Sequence, residues 1–227
     1  MRRLAPLALA AALAAGCGAG ETKGTVSVWV TRDRGAQVLV TARAPAGLTA
    51  MQALRRVADV KTRYGGRFVQ AIDGIEGSVS ARKDWIYFVN GYEADRGAAE
   101  YRLHPGDVEW WDYRSWAGKA LHVPVVVGAF PEPFLHGYAG KRLPAAVVSA
   151  DPAGGHALAK LLHGRFVRIK KDAADVQARD ANVLFLSRGP TRFVGRATAP
   201  GRPVSFTFSG DWHALIRGAY RYRYEVP

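Results

Sequence analysis

The chain has 227 residues, a formal charge of +13 and a single cysteine, with 48% hydrophobic and 11% aromatic residues. That composition closes packed cores and excludes a disordered chain, and a lone cysteine excludes an intramolecular disulfide. The basic residues are scattered among hydrophobic segments, with Lys170-Lys171 the one adjacent lysine pair, so no aromatic-interleaved track for nucleic acid is present; the charge suits an anionic membrane surface, and biased codon composition explains it equally well.

Arg2 and Arg3, the apolar run Leu4 to Ala15 and the small residues before Cys17 divide as a secretory signal does. The run is shorter than the roughly 20 apolar residues a spanning helix needs. Leu13-Ala14-Ala15-Gly16-Cys17 resembles the lipobox of bacterial lipoproteins, with the leucine one place early. The expectation is a signal peptide over 1–16, lipidation of Cys17 and a small, polar tether over 17–24, holding the protein on the outer face of the cytoplasmic membrane. A plain secretory signal with an incidental cysteine is the competing reading.

Thr25 to Val30 alternates, with Val26, Val28 and Val30 on one face, and Val38, Val40 and Ala42 repeat the pattern beyond a turn at Gly35, which predicts a hairpin. Thr49 caps a helix with Gln52 as the partner of a capping box, and Met51, Leu54, Val57 and Ala58 supply its buried stripe. Strands follow at Phe68 to Ile72, Trp85 to Val89 and Val108 to Tyr113, separated by turns at Asp73-Gly74, Asn90-Gly91 and His104-Pro105-Gly106-Asp107. One helix among mostly antiparallel strands makes residues 25–116 an α+β domain.

The composition turns Pro-rich and apolar from Val123, so a linker is placed at 117–124 and a second domain at 125–227. There Ala145 to Ser149, Phe166 to Ile169 and Asn182 to Ser187 are expected as strands and Gly155 to Leu162 as a helix, a small α/β unit. Strands at Arg192 to Ala197 and Val204 to Phe208 and a helical segment within Asp211 to Tyr220 complete it. The halves share no internal repeat.

No motif forces an enzymatic reading. The six histidines are widely separated without metal-ligand spacing, so no metal site is expected. Ser187-Arg188-Gly189 lacks the flanking glycine of a nucleophile elbow. Asp151-Pro152-Ala153-Gly154-Gly155 fits a loop and helix cap better than an anion site. Asp107 suits its turn, Asp112 a solvent-facing strand position, and His136 and His213 are expected to be structural or solvent-facing. Catalytic residues: none are assigned.

The informative constellation is aromatic. Trp85, Tyr87, Phe88 and Tyr92 lie on or just after one strand, and Trp110, Trp111, Tyr113 and Trp116 on or just after the next. A period of two puts Trp85 and Tyr87 on one face and Ile86 and Phe88 on the other, and points Trp110 and Trp111 opposite ways. So many rings exceed what a domain of about 90 residues needs for its core.

Leu48-Thr49-Ala50-Met51-Gln52-Ala53-Leu54, Trp85-Ile86-Tyr87-Phe88-Val89-Asn90-Gly91 and Gly106-Asp107-Val108-Glu109-Trp110-Trp111-Asp112-Tyr113 occur in this order. Through them residues 25–116 resemble the transcobalamin-like C-terminal domain, known in bacteria as domain of unknown function 4430. The resemblance implies a β-grasp-like domain and contact with the broad apolar face of a corrinoid. From it follows the expectation of non-catalytic ligand capture, with cobalamin or a similar compound as the ligand, no cofactor required and an uptake transporter as partner. The ligand-binding residues expected are Trp85, Tyr87, Tyr92, Trp111 and Tyr113. The alternative is a cell-envelope module that binds protein or glycan through the same aromatics.

Overall fold

In a computed structural model of the protein the described residues are 23–118, 121–169 and 180–227. Cys17, the signal segment and all but the end of the tether lie outside them, as does Lys170-Lys171.

The first hairpin joins β1 (Thr25–Arg32) and β2 (Gln37–Pro45). The turn needs glycine at 35: its φ is +76°, and a Cβ there would sit 1.5 Å from the Tyr222 carbonyl oxygen. Helix α1 (Ala50–Arg55) opens on the expected capping box, with Gln52 N donating to Thr49 Oγ1 at 3.2 Å and Thr49 N donating to Gln52 Oε1 at 2.9 Å. Next comes a small antiparallel sheet of β3 (Val60–Arg63), β4 (Phe68–Ile72) and β5 (Ile75–Glu76). Its first strand was not expected, since four residues with three polar side chains carry too little alternation. Then β6 (Lys83–Val89) turns at Asn90-Gly91, with φ +51° and +83°, into β7 (Tyr92–Glu93).

The last strand of this half, β8 (Val108–Ser115), inserts between β1 and β6, parallel to the first and antiparallel to the second, giving the order β2-β1-β8-β6-β7. Both faces of this sheet are covered. Val28, Val30, Trp85 and Trp111 pack on the side of α1 and β4, while Trp29, Phe88 and Trp110 pack on the other side against Val126, Ala129 and Tyr224. The opposed directions expected for Trp110 and Trp111 are thus realised, and Trp110 faces the C-terminal half.

That half holds β9 (Ala145–Ser149), α2 (Pro152–Leu161), β10 (Arg165–Arg168), β11 (Asn182–Ser187), β12 (Arg192–Arg196), β13 (Ser205–Ser209) and α3 (Trp212–Ile216). The sheet order is β10-β9-β11-β13-β12, parallel except for β12. Helix α2 begins earlier than its glycines suggest. Packing overrides their propensity: a Cβ at Gly155 would lie 2.3 Å from the Phe166 ring, and one at Gly154 2.7 Å from the Trp212 ring. Among the described residues no helix is long and apolar enough to cross a membrane.

The whole is a mixed α+β structure of sheets with few helices. Residues 123–129 bind the first sheet directly: Val123 N donates to Glu93 Oε2 at 2.7 Å and Val126 N to the Gly91 carbonyl at 2.8 Å. One buried cluster runs from Val28 and Leu54 through Tyr92 and Phe134 to Leu184 and Phe208, so the two halves share a core. The C-terminal segment then returns across the first sheet, with Tyr222 against Trp29 and Tyr224 against Phe88 and Trp110.

Candidate functional site

The β6–β8 register sets Trp85 opposite Tyr113 and Tyr87 opposite Trp111, with ring centroids 5.3 Å and 4.8 Å apart. Four of the five expected ligand residues therefore share one face. Each also spends its polar atom within the protein. Trp85 Nε1 donates to the Ile75 carbonyl at 2.9 Å, Tyr113 OH to that of Glu76 at 3.0 Å, and Tyr87 OH to that of Arg96 at 2.5 Å. Tyr92 lies apart, donating to the Arg202 carbonyl at 2.6 Å. Trp85, Tyr92 and Trp111 are 5%, 1% and 3% exposed, so these rings form packed interior, with Trp85 held against β5.

Beneath the ladder lies Glu109, 0% exposed. Its Oε1 accepts from Trp111 Nε1 at 2.6 Å, and its Oε2 has no partner among the described residues. Burial pushes this carboxyl well above the ordinary glutamate range. Asp112, expected on a solvent face, is instead buried. Thr31 Oγ1 donates to it at 2.5 Å and the amides of Arg34 and Gly35 at 3.1 Å, so it ties the first hairpin to β8. The correction has a physical cause: the C-terminal segment covers this side of the sheet, which strand alternation alone cannot reveal. Asp107 serves its turn as expected, accepting from His104 N at 2.8 Å and Asn90 Nδ2 at 2.7 Å. Burial raises the pKa of both aspartates.

His136 Nδ1 lies 2.5 Å from Glu132 Oε1, a contact that raises the imidazole pKa. His213 pairs with Asp211 at 2.8 Å. Among the described residues no group of three or more His, Cys, Asp or Glu is placed to hold a metal ion. At the start of α2 the Asp151 carboxylate takes the Ala153 amide at 3.1 Å, filling the place an anion would occupy. Ser187, Arg188, Asp211 and His213 line a crevice of about 260 Å³ at the carboxyl ends of β11 and β13.

A larger cavity lies elsewhere, between the halves, and measures about 830 Å³. Its floor is apolar: Val183 and Phe185 from β11, Val204 before β13, and Val123 and Val125 from the connecting segment. Arg34, Arg196 and His122 stand among its polar lining, with Glu225 the one acid in that set. None of the five expected aromatics lines it, although Tyr92 anchors the loop carrying Pro203 and Val204 through its bond to Arg202. The sequence hides this site because Asn182 to Ser187 is apolar on both faces. Alternation sets Val183 and Phe185 on the face opposite Leu184 and Leu186, but only the packed structure shows which of the two faces borders the cavity.

Comparison with known proteins adds the following. Residues 47–115 match the family model described as Domain of unknown function (DUF4430). Among solved structures, the chain is similar to a protein from Ruminococcus gnavus provisionally described as metal binding, at 16% identity over 41% of this chain and 98% of that one, with a TM-score of 0.34. It is also similar to haptocorrin in complex with Cbi, at 15% identity over 40% of this chain and 26% of that one, with a TM-score of 0.32. No curated protein matches. The segment 47–115 that matches this family model carries α1, the small sheet and the paired aromatic strands, and holds most of the motifs through which the sequence resembles the family.

Proposed function

We propose that this chain is a non-catalytic ligand-capturing lipoprotein, held on the outer face of the cytoplasmic membrane by a lipid on Cys17 and serving an uptake system. The observation that carries the reading is the cavity of about 830 Å³, apolar in floor and polar at its edge, between two halves that share one core. Ligand sites have this size and composition. The order β2-β1-β8-β6-β7, with its parallel pair in the middle and α1 on one face, supports reading the first half as β-grasp-like.

A corrinoid is the first ligand to test, because the family resemblance names it and because a broad apolar face gains about 25 cal/mol per Å² removed from water. In this reading Tyr92 holds the cavity wall. Trp85, Tyr87, Trp111 and Tyr113 stiffen the sheet behind it, and a ligand stacked on those rings themselves needs the β4–β5 turn to lift. Titration with cobalamin, followed by calorimetry and tryptophan quenching, separates the two. Binding lost in Phe185→Ala places the ligand in the cavity; binding lost in Trp85→Ala or Trp111→Ala, with the fold intact, places it on the ladder. No binding at high micromolar cobalamin removes the corrinoid. The anchor is tested by Cys17→Ser, which releases the protein from membranes or leaves it unprocessed.

One observation favours the second reading, a protein- or glycan-binding module of the envelope. Tyr64 and Phe68 are exposed at the β3–β4 hairpin with ring centroids 6.3 Å apart. Exposed aromatic pairs of this kind supply stacking faces to partners.

A further inference from the structure

The cavity does not end at the connecting segment. A second hollow of about 250 Å³ shares Phe185, Arg196 and Ser205 with it and continues over β12 and β13 past Val194 to Arg192. Together they make a groove along one face of the second sheet. The floor of the larger hollow is apolar, the smaller one sets Phe185 and Val194 beside Ser205 and Thr207, and the cations are arginines: Arg34 at the first hairpin turn, Arg196 where the two hollows meet, and Arg192 at the far end. Among the described residues none of the three has a carboxylate within ion-pair distance. Arg34 is instead poised over the Tyr224 ring, 5.5 Å from its centroid, at the cavity edge.

We propose that the ligand of this groove is an amphiphile with one anionic head, carboxylate or phosphate, on an elongated apolar body. The inference rests on the reading that the cavity is the binding site, and adds the chemical class. Unpaired guanidiniums offer forked donors that match a carboxylate or phosphate. The apolar floor of the larger hollow carries no charged group, so the part of a ligand that lies on it is apolar. The larger hollow takes the body, and the head is held at its edge, where Arg34 and Arg196 stand and the second hollow opens.

The test is calorimetric titration of the purified protein, in detergent-free buffer, with dodecanoate, dodecyl phosphate and uncharged dodecanol, all below their aggregation limits. Two variants accompany it. The exposed pair Arg34→Gln with Arg196→Gln removes the head contacts, and Ser205→Trp fills the place where the hollows join; folding of both is checked by circular dichroism. The expected result is one-to-one binding of an anionic chain, about tenfold weaker binding of dodecanol, a similar loss in the arginine variant for the anion alone, and no binding in Ser205→Trp. The anionic binding also weakens as salt is raised. The better of dodecanoate and dodecyl phosphate tells a fatty acid from a phospholipid-derived head. Equal binding of acid and alcohol, both abolished by Ser205→Trp, overturns the anionic head and leaves the cavity reading intact. Binding that survives Ser205→Trp, or no binding of either anion, overturns the inference, while the cobalamin titration judges the cavity separately.

Discussion

Replacing Glu109 with glutamine isolates the effect of one buried carboxyl. Glutamine keeps an oxygen for Trp111 Nε1, which donates at 2.6 Å, and cannot ionise. In the parent, burial raises the folded pKa well above the ordinary glutamate range. The folded protein therefore holds a proton that the unfolded chain has released. A group shifted in this direction contributes stability that is fully present below its unfolded pKa and is lost as pH rises through its folded pKa. One such proton costs up to about 1.4 kcal/mol for each pH unit in that window. Asp107 and Asp112 shift in the same direction, so the parent slope has several sources. The difference between parent and variant isolates one. Denaturant unfolding at pH 4 to 8 is expected to give similar stabilities near pH 4, and an advantage for Glu109→Gln that grows through the window and then levels. Parallel stability curves across the whole range would refute the assignment of a buried neutral carboxyl.

Three further outcomes follow from the packing. Tyr224→Ala, which uncovers Phe88 and Trp110, is expected to cost about 3–5 kcal/mol and to shift tryptophan emission to the red; an unchanged spectrum denies the covering role. Gly35→Ala is expected to destabilise by more than about 2 kcal/mol, because the added carbon meets the Tyr222 carbonyl at a positive φ, and circular dichroism melting reads the loss. Because the halves share a core, heat unfolding followed by tryptophan emission and by far-ultraviolet dichroism is expected to show one coincident transition, and two separated transitions would contradict it.

Local chemistry was readable from the sequence, and long-range closure was not. The Thr49–Gln52 capping box, the Asn90-Gly91 turn and the alternation through Trp85 to Val89 are decided by residues within a few positions of one another, and the structure contains each. Asp112 could not be placed, because the residues that cover it come from the hairpin turn and from the far end of the chain. The aromatic face was legible as a face, through its period of two, but not as an interior. Whether Trp85 meets ligand or protein depends on where residues 75–76 fold back. The cavity was the least legible feature: Val183, Phe185 and Arg196 acquire a common side only when β11, β13 and β12 are set next to one another.

The return of Tyr222 and Tyr224 to the first sheet also fixes an order of events during synthesis. The surface of Trp29, Phe88 and Trp110 has no complete cover until residue 224 has emerged, although its own strands are finished by residue 115. A nascent chain of intermediate length thus exposes a broad sheet of tryptophan and phenylalanine, the kind of surface that chaperones hold and that aggregates when left bare. Closing it spans nearly the entire sequence, which makes slow, late folding the natural kinetic regime.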